Sequence, residues 1–366
     1  ATGGPGAVFW MWAVALMGFI VKFSEITLGM AYRERDPETG RWHGGFYWYV
    51  RRGLGKSWKW LGIFWAVILG CAMVFAPAVQ ANSVVEAIRV SFDVPGWIVG
   101  VIFAVIMAVV LVGGIKSISS FAEKVVPLMA LAYVIGSIFI LVKFGSNIPH
   151  VFAMIFEYAF TPMAATGGFA GATVMMAIRL GVARGLFSNE SGLGSAPIAA
   201  AAARTSQPVV QALISMTQTF IDTLVVCSMT GLVILVTGVW TSGKNGAPLT
   251  SYAFETGLPG ELGGLIVTIG IILFAYSTIL GWSYYGEKAI EYLLGSKAII
   301  PYRWAFIISV GLGASMKLDL VWTLSDIFNA LMAFPNLIGL IMLTPVVKAE
   351  TLAYLRSLKK EPASEG

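Results

Sequence analysis

The sequence has 366 residues, of which 57% are hydrophobic and 12% are charged, and its mean hydropathy is +0.81. A soluble domain carries about 25% charged residues, so this chain cannot cover a water-facing surface. Cys71 and Cys227 both lie in apolar runs, and His43 and His150 are the only histidines, which excludes a disulfide framework and most zinc chemistry. The composition predicts a helical protein that crosses the membrane several times, because a β-barrel lacks such long apolar segments.

Nine segments are candidates for membrane-spanning helices, each of which needs about 20 mainly apolar residues. The last segment becomes two if the helix breaks at Pro335, and it stays one if the helix is only kinked there. The predicted segments are residues 5–31, 60–88, 96–114, 124–143, 168–203, 209–238, 262–286, 302–316 and 320–348.

The basic residues distinguish nine helices from ten. Seven lysines and arginines lie in residues 32–59, between the first two predicted helices, and such clusters mark cytoplasmic loops. A similar basic group near the C-terminus consists of Lys348, Arg356, Lys359 and Lys360. Only an odd number of helices places both groups on the cytoplasmic side, so we predict nine.

Residues 32–59 do not form a membrane span. They contain an aromatic run at 46–49, followed by Arg51 and Arg52. Because aromatic rings beside cations suit the lipid headgroup zone, the sequence predicts a cytoplasmic interfacial segment that lies flat on the membrane.

The ends of the chain lead to two further expectations. The polar residues 357–366 predict a disordered cytoplasmic tail, which leaves residues 1–356 as a single transmembrane domain. The sequence opens at Ala1, without a methionine or a signal peptide, directly before the first helix. We therefore expect that the chain is an N-terminally truncated part of a longer protein.

The fifth predicted helix contains a break at residues 187–195. Gly192 and Gly194 permit backbone angles that a helix forbids, and Pro197 fits the first turn of a resumed helix. Broken helices persist at membrane depth where protein or a wet cavity satisfies the freed backbone groups, and transporters bind their substrates there. A loop at the membrane surface is the alternative. We favour the binding site, because the second piece is too short to span and Glu190 lacks the basic neighbours of a surface loop.

Charged residues near the break are candidates for coupling or gating. Asp222 lies near the middle of a predicted helix, where a carboxylate marks an ion path or a paired structural charge, and both interpretations are open. Arg184 can reach Glu190 or Asp222, and such a pair would be a gate or a brace. Lys22 and Glu25 are predicted to pair with each other near the end of the first helix, with their charged ends reaching the membrane surface.

Polar side chains on two other helices are candidates for ligand binding. Thr278 and Trp282 are four residues apart, so they share a helix face on which a hydroxyl and a large ring can line a small pocket. Ser277 and Thr278 offer hard oxygen ligands for an alkali cation, although ordinary helix packing explains them equally well. Gln80 can donate to the carboxylate of a substrate.

Five stretches of the sequence together resemble the alanine or glycine:cation symporter family, the sodium:alanine symporters of the amino acid–polyamine–organocation superfamily. The most specific stretch is residues 181–197, GVARGLFSNESGLGSAP. The supporting stretches, which extend over nearly the whole chain, are residues 3–7, 80–84, 113–118 and 274–288.

The resemblance implies an all-α, LeuT-like fold of two inverted five-helix repeats in the cytoplasmic membrane of a prokaryote. It implies sodium-driven uptake of alanine or glycine, with the substrate held between the unwound first helices of the two repeats. The coupling sodium ion would lie near Ser277 and Thr278. The substrate would be surrounded by Gln80, Phe187, Ser188, Asn189, Gly192, Thr278 and Trp282.

The chain departs from the family's pattern in two ways. The first core helix, with its Gly-Thr-Gly-Asn break, is absent, so we expect half of the substrate site to be missing and the chain alone not to transport. In addition, residues 46–48 read Phe-Tyr-Trp where proline-methionine-tyrosine is expected, and residues 76–78 read Ala-Pro-Ala in place of a Gly-Asn pattern. The second change lies close to Gln80 and therefore bears on the size of the substrate.

We thus predict a sodium-coupled symporter for a small neutral amino acid that works by alternating access in a lipid bilayer. The ion gradient supplies the energy, so we expect no cofactor apart from the coupling ion and no nucleic-acid partner. Proton coupling through Asp222 or Glu190 is the alternative. A passive channel is a third possibility. We expect no enzyme activity, because a hydrolase that used Ser188 or Ser195 would lack a nearby base.

Overall fold

Helices make up most of the protein. The computed structural model describes residues 2–37, 40–112, 114–260 and 262–360, and within them two short strands, β1 (Glu34–Arg35) and β2 (Trp42–His43), form an antiparallel hairpin. The helices are α1 Gly6–Ala31, α2 Phe46–Gly53, α3 Lys59–Phe75, α4 Pro77–Phe92, α5 Gly96–Val112, α6 Gly114–Lys143, α7 Ile148–Phe160, α8 Val174–Asn189, α9 Ala196–Ala200, α10 Pro208–Thr219, α11 Ser228–Val236, α12 Gly246–Gly257, α13 Leu262–Leu294, α14 Ile299–Gly313 and α15 Leu318–Lys360.

All nine predicted segments are helical over most of their length, although three of them are divided. The second segment consists of α3 and α4, which meet at Pro77. The fifth is divided into α8 and α9, and the sixth contains α10, α11 and a π-helical turn between them, Phe220–Cys227. The last is one helix, α15, which continues through Pro335 and Pro345.

Several of these helices are long and apolar enough to cross a membrane. A further span arises if Ala130–Lys143 and Gly145–Phe160, which meet at an angle of 75°, form one broken helix. The described chain is thus an all-helical, multi-pass membrane protein, whereas the count of nine and the inverted repeats stay predictions. Among the described residues, five candidate spans need no such pairing, namely Gly6–Ala31, Lys56–Phe92, Pro208–Val236, Leu262–Leu294 and Leu318–Lys359.

The helices pack in two groups, which meet at the break between α8 and α9. In the first group, α1 lies against α7, α8, α9 and α10. In the second group, α13 lies against α3, α4, α6 and α12, and the largest apolar core includes Trp65, Leu69 and Phe306. Because α9 contacts both α1 and α13, the broken helix lies where the two groups adjoin.

The aromatic run at 46–49 packs in the protein core. Phe46, Tyr47 and Tyr49 of α2 are at most 3% exposed, and they lie among the rings of other helices. The ring centroid of Tyr47, for example, is 4.5 Å from that of Tyr292 on α13. The sequence predicts that this run anchors the chain in the headgroup zone. The three rings do not do so, because α3, α13 and α15 enclose them.

The C-terminal end of the helical region differs from the predicted boundary. Helix α15 extends to Lys360, so residues 357–360 are helical where a disordered tail is predicted. Residues 361–366 lie outside the described residues, as does Gly113 of the stretch 113–118.

Candidate functional site

The break is present but shorter than the predicted residues 187–195, because α8 continues to Asn189 and leaves residues 190–195 between it and the start of α9 at Ala196. Its backbone enters the left-handed region repeatedly, with φ of +52° at Glu190, +95° at Gly192 and +79° at Gly194. Glycine adopts such angles without a steric cost, but glutamate does not. The two glycines therefore allow the helix to unwind, and Glu190 is held in its conformation by the contacts around it.

Helix α1 braces the two ends of the break with side chains of opposite charge. Nζ of Lys22 donates to the carbonyl oxygen of Asn189 at 2.9 Å, and the backbone N–H of Gly194 donates to Oε1 of Glu25 at 2.8 Å. A cation at the C-terminal end of α8 also complements the dipole of that helix. Lys22 is 1% exposed and Glu25 is 0% exposed. They therefore do not reach the membrane surface, and within the described residues no ion pair joins them, so the predicted pair is wrong.

Two side chains from other helices bond to the break, and a third supports one of them. Nδ2 of Asn336 on α15 donates to the carbonyl of Gly192 at 2.9 Å and to Oε1 of Glu25 at 2.5 Å. Oδ1 of the same asparagine accepts a hydrogen bond from the hydroxyl of Tyr49. Nε1 of Trp65 donates to the carbonyl of Leu193 at 3.0 Å. Sequence reasoning missed all three, together with the role of Lys22 and Glu25.

The sequence of α1 does contain a signal for this brace. Gly18, Lys22, Glu25 and Gly29 recur at intervals of four, three and four, which places them on one face of the helix. A Cβ added at Gly29 would lie 2.5 Å from Cβ of Pro197, so α1 approaches the broken helix closely. Two glycines that flank two charges on one face of α1 thus indicate that another segment packs against the backbone of this helix.

A cavity of about 400 Å³ opens beside the break. Pockets for small ligands have volumes of roughly 300–1,000 Å³, so this one fits a small solute. Its described walls come from α4, α8, α10, α13, the break and the π-helical turn. The structure brings seven of the predicted site residues together here: Gln80, Phe187, Ser188, Glu190, Asp222, Thr278 and Trp282.

Three other predicted site residues lie outside the walls of the cavity. Asn189 is 0% exposed, and its side-chain oxygen accepts a hydrogen bond from the N–H of Ser191 at 2.9 Å. Gly192 lies on the side of the break that Asn336 covers. Ser277 donates to a carbonyl of its own helix at 3.0 Å. Their contacts with substrate or sodium stay predictions.

Two carboxylates, those of Glu190 and Asp222, reach the cavity, and its described lining includes no lysine or arginine. Oε1 of Glu190 accepts from Nε1 of Trp282 at 2.6 Å, and Oε2 accepts from Oγ of Ser195 at 3.0 Å. Oδ2 of Asp222 accepts from the hydroxyl of Ser188, whereas Oδ1 has no donor within the described part of the chain. The cavity can therefore take up a cationic group.

Asp222 reaches the cavity from the π-helical turn Phe220–Cys227. In such a turn the backbone hydrogen bonds join residues that are five apart, and π-helical turns are frequent at functional sites. Asp222 and Cys227 are five residues apart, and both contact the hydroxyl of Ser188, the cysteine Sγ at 3.2 Å. The wide turn thus explains how two side chains at this spacing converge on α8.

Arg184 pairs with neither of its predicted partners. Its guanidinium forms an ion pair with Asp326 of α15 and lies 3.8 Å from the ring centroid of Trp322. The side chains of Arg184 and Asp326 are 31% and 30% exposed. Next to the pair, Phe187 packs between Trp322 and Trp282, with ring centroids 5.0 Å and 5.6 Å away. The predicted partner is wrong because the sequence did not place α15 beside α8.

Comparison with known proteins identifies the family of this chain. An uncharacterized transporter of Haemophilus influenzae is 47% identical over 98% of this chain and 78% of its own length. The sodium/alanine symporter AgcS of Methanococcus maripaludis is 45% identical over 98% and 79%, and the probable sodium/glutamine symporter GlnT of Bacillus subtilis is 37% identical over 99% and 75%. The sodium:alanine symporter family matches residues 1–365, and the chain belongs to this family.

Proposed function

We propose that the protein carries a small neutral amino acid, alanine or glycine, across the membrane together with a sodium ion. The observation that carries this proposal is the cavity of about 400 Å³ beside the broken helix, with two carboxylates and no described lysine or arginine in its walls. Membership of a symporter family supports the coupling to a cation. The names of the relatives include both alanine and glutamine, so the choice of substrate rests on the cavity itself.

The walls of the cavity suit the three parts of a small amino acid. Oδ1 of Asp222 is free to accept from an ammonium group or to bind a cation. Gln80 and Thr278 offer donors for a carboxylate. The rings of Phe187 and Trp282 meet edge to face at 5.6 Å and leave little room for a long side chain.

The arrangement of the helices suits alternating access, in which one group of helices rocks against the other around the binding site. Glu190 belongs to the broken helix that α1 braces, whereas Trp282 belongs to α13 in the second group. Their hydrogen bond of 2.6 Å therefore joins the two groups at the cavity. A ligand that binds to Glu190 competes with this bond and thereby alters the contact between the groups.

The test is uptake of labelled alanine into proteoliposomes that contain the protein made from its complete reading frame, with an inward gradient of sodium or of potassium. We expect uptake with sodium alone, competed by glycine and not by leucine or glutamine. Equal uptake with both cations would refute sodium coupling. Competition by glutamine would refute the small substrate.

A matched pair of variants tests the role of the cavity. Thr278→Val removes a hydroxyl from the wall, and Ser283→Ala removes a hydroxyl of the same helix that is bonded to a carbonyl of that helix and lies outside the walls. A net hydrogen bond contributes about 0.5–1.5 kcal/mol, so the first variant should raise KM for alanine by about 3–10-fold. The second should leave KM unchanged. Equal effects would place the substrate elsewhere.

Proton coupling is the second candidate, since two carboxylates line the cavity and one oxygen of Asp222 lacks a donor. In that case uptake follows an inward proton gradient in the absence of sodium. Asp222→Asn or Glu190→Gln would then abolish accumulation while leaving exchange of bound substrate intact. Accumulation that needs sodium at every pH would exclude this candidate.

A further inference from the structure

A second cavity of about 400 Å³ lies where the hairpin of β1 and β2 meets α2 and the end of α13. It shares no described lining residue with the first cavity. The helix ends around it are the end of α1 at Ala31, the start of α3 at Lys59 and the end of α13 at Leu294. Its position therefore corresponds to the edge of the membrane-spanning region.

Nε1 of Trp48 and the hydroxyl oxygen of Tyr292 are buried here, and neither has a hydrogen-bond partner among the described residues. Both residues line the cavity, and their ring centroids are 5.6 Å apart. An indole N–H can only donate, and a phenol hydroxyl can also donate. Since buried donors without an acceptor are costly and rare, the two atoms point to a ligand that accepts hydrogen bonds.

Two arginines at the same cavity lack an acidic partner. Arg35 and Arg51 line it, and within the described residues neither forms an ion pair. The guanidinium of Arg51 lies 5.5 Å from the ring centroid of Trp48, so it is next to the buried indole N–H. Positive charge and unused donors thus occur together.

Each acidic residue of the cavity is already engaged by a side chain other than the two arginines. The pairs lie 2.6–3.3 Å apart, and they are Glu34 with Arg52, Asp36 with His43, and Glu291 with Lys288. Of the charged groups that line the cavity, the two arginines therefore remain available for a ligand.

We propose that the second cavity binds a phosphate group, which accepts hydrogen bonds from Trp48 and Tyr292 and is neutralised by Arg35 and Arg51. A phosphate offers more acceptor oxygens than a carboxylate, and the guanidinium group matches its geometry. At the edge of the membrane the group can belong to an anionic lipid or to free inorganic phosphate. This site is independent of the proposed transport, because it uses other residues and is tested by binding.

The test uses the purified full chain in detergent, with inorganic phosphate, phosphatidylglycerol and phosphatidylcholine as separate probes and native mass spectrometry as the readout. Arg51→Gln removes one cation, and Trp48→Phe removes only the N–H while it keeps the ring. Each should weaken binding about tenfold, the effect of losing one hydrogen bond to a charged group. Lys56→Gln and Trp60→Phe are matched controls in the same region, outside the cavity, and should change binding less than about twofold.

Each outcome supports or overturns the proposal. Binding of phosphatidylglycerol, but not of phosphate, that is weakened by the two cavity variants assigns the site to a lipid headgroup. Binding of inorganic phosphate with the same sensitivity assigns it to the free ion. No binding of either probe, equal binding of phosphatidylcholine and phosphatidylglycerol without phosphate binding, or equal losses in the control variants overturns the site. If one cavity variant fails to fold, the other still decides.

Discussion

The two sides of the broken helix differ in how their polar groups are satisfied. On the side that faces α1 and α15, the groups are buried, and Lys22, Glu25 and Asn336 are at most 1% exposed. On the side that faces the cavity, Glu190 and Asp222 are partly exposed, and Oδ1 of Asp222 has no donor in the described chain. The first side determines the shape of the break, and the second is left free to exchange its partners.

This difference shows how an unwound helix can be rigid and still bind. Buried polar groups that are hydrogen-bonded fix a single arrangement, because each lost bond leaves an unsatisfied group in a dry environment. Exposed groups exchange protein partners for a ligand or water at a much smaller cost. Variants on the two sides should therefore affect stability and transport in opposite proportions.

The largest expected effect is a loss of stability in Lys22→Met. The variant removes the charge-assisted bond to Asn189 and a cation close to the buried carboxyl of Glu25. Losing a buried charge that compensates another costs about 3–5 kcal/mol, so the free energy of unfolding should fall by that amount. Thermal unfolding in detergent measures it.

The double variant Lys22→Met with Glu25→Met provides the control, because it removes both buried charges. It should recover only part of the lost stability, because the N–H of Gly194 and Nδ2 of Asn336 then lose Glu25 as their acceptor, and it should not recover transport. A single variant as stable as the unmodified protein would contradict the division between the two sides.

A large loss of transport with little change in stability is expected for Asp222→Asn. The amide keeps the size of the side chain and its bond to Ser188 but removes the charge that faces the cavity. A hydrogen bond to a charged group contributes about 1.5–3 kcal/mol, so uptake should fall about 10–100-fold. Asp319→Asn, at the exposed start of α15, is the matched control for the loss of an acidic group. Preserved uptake with a lower unfolding temperature would reverse the assignment of Asp222.

A moderate loss of stability is expected for Gly29→Ala, which tests the close approach of α1 to the broken helix. The added methyl group would lie 2.5 Å from Cβ of Pro197, and overpacking of this kind costs about 1–3 kcal/mol. Gly145→Ala, where an added Cβ meets nothing within 4 Å, should not destabilise the protein. Equal unfolding temperatures for the two variants would show that α1 can move away from the broken helix without a loss of stability.

The smallest effect on stability is expected for Arg184→Gln. Its pair with Asp326 is about one-third exposed, and such pairs contribute at most about 1 kcal/mol. If the pair acts as a gate, Arg184→Gln and Asp326→Asn should change the rate of uptake equally while unfolding temperatures stay within a few degrees. A large drop in stability would make the pair a brace, and unequal rates would argue against a shared role.

Hydropathy predicted the helices and the glycine pattern predicted the break, because both depend on residues that are close in the sequence. Seven of the residues that line the cavity are predicted as site residues from local spacing and from the resemblance to the family. The orientations of Asn189 and Ser277 are not predictable in this way, because the sequence does not show whether a side-chain amide or hydroxyl bonds to nearby backbone or to a ligand.

Contacts between distant parts of the chain were the main failure. The sequence predicts an ion pair between Lys22 and Glu25 because they are neighbours in the helix, whereas their hydrogen-bond partners lie more than 160 residues away. Arg184 was assigned to the nearest acids and pairs with Asp326, 142 residues later. Neither contact can be read from periodicity, which reports the face of a helix but not what lies against it.

The π-helical turn Phe220–Cys227 has a consequence for the helix around it. In an ordinary α-helix, side chains five residues apart lie about 140° apart, so Asp222 and Cys227 could not both contact the hydroxyl of Ser188. Just after the turn, Ser228 accepts from Nε1 of Trp12 and Thr230 meets the hydroxyl of Tyr133, each at 2.7 Å. An α-helix with the same number of residues would therefore lose the contacts on one side of the turn or on the other.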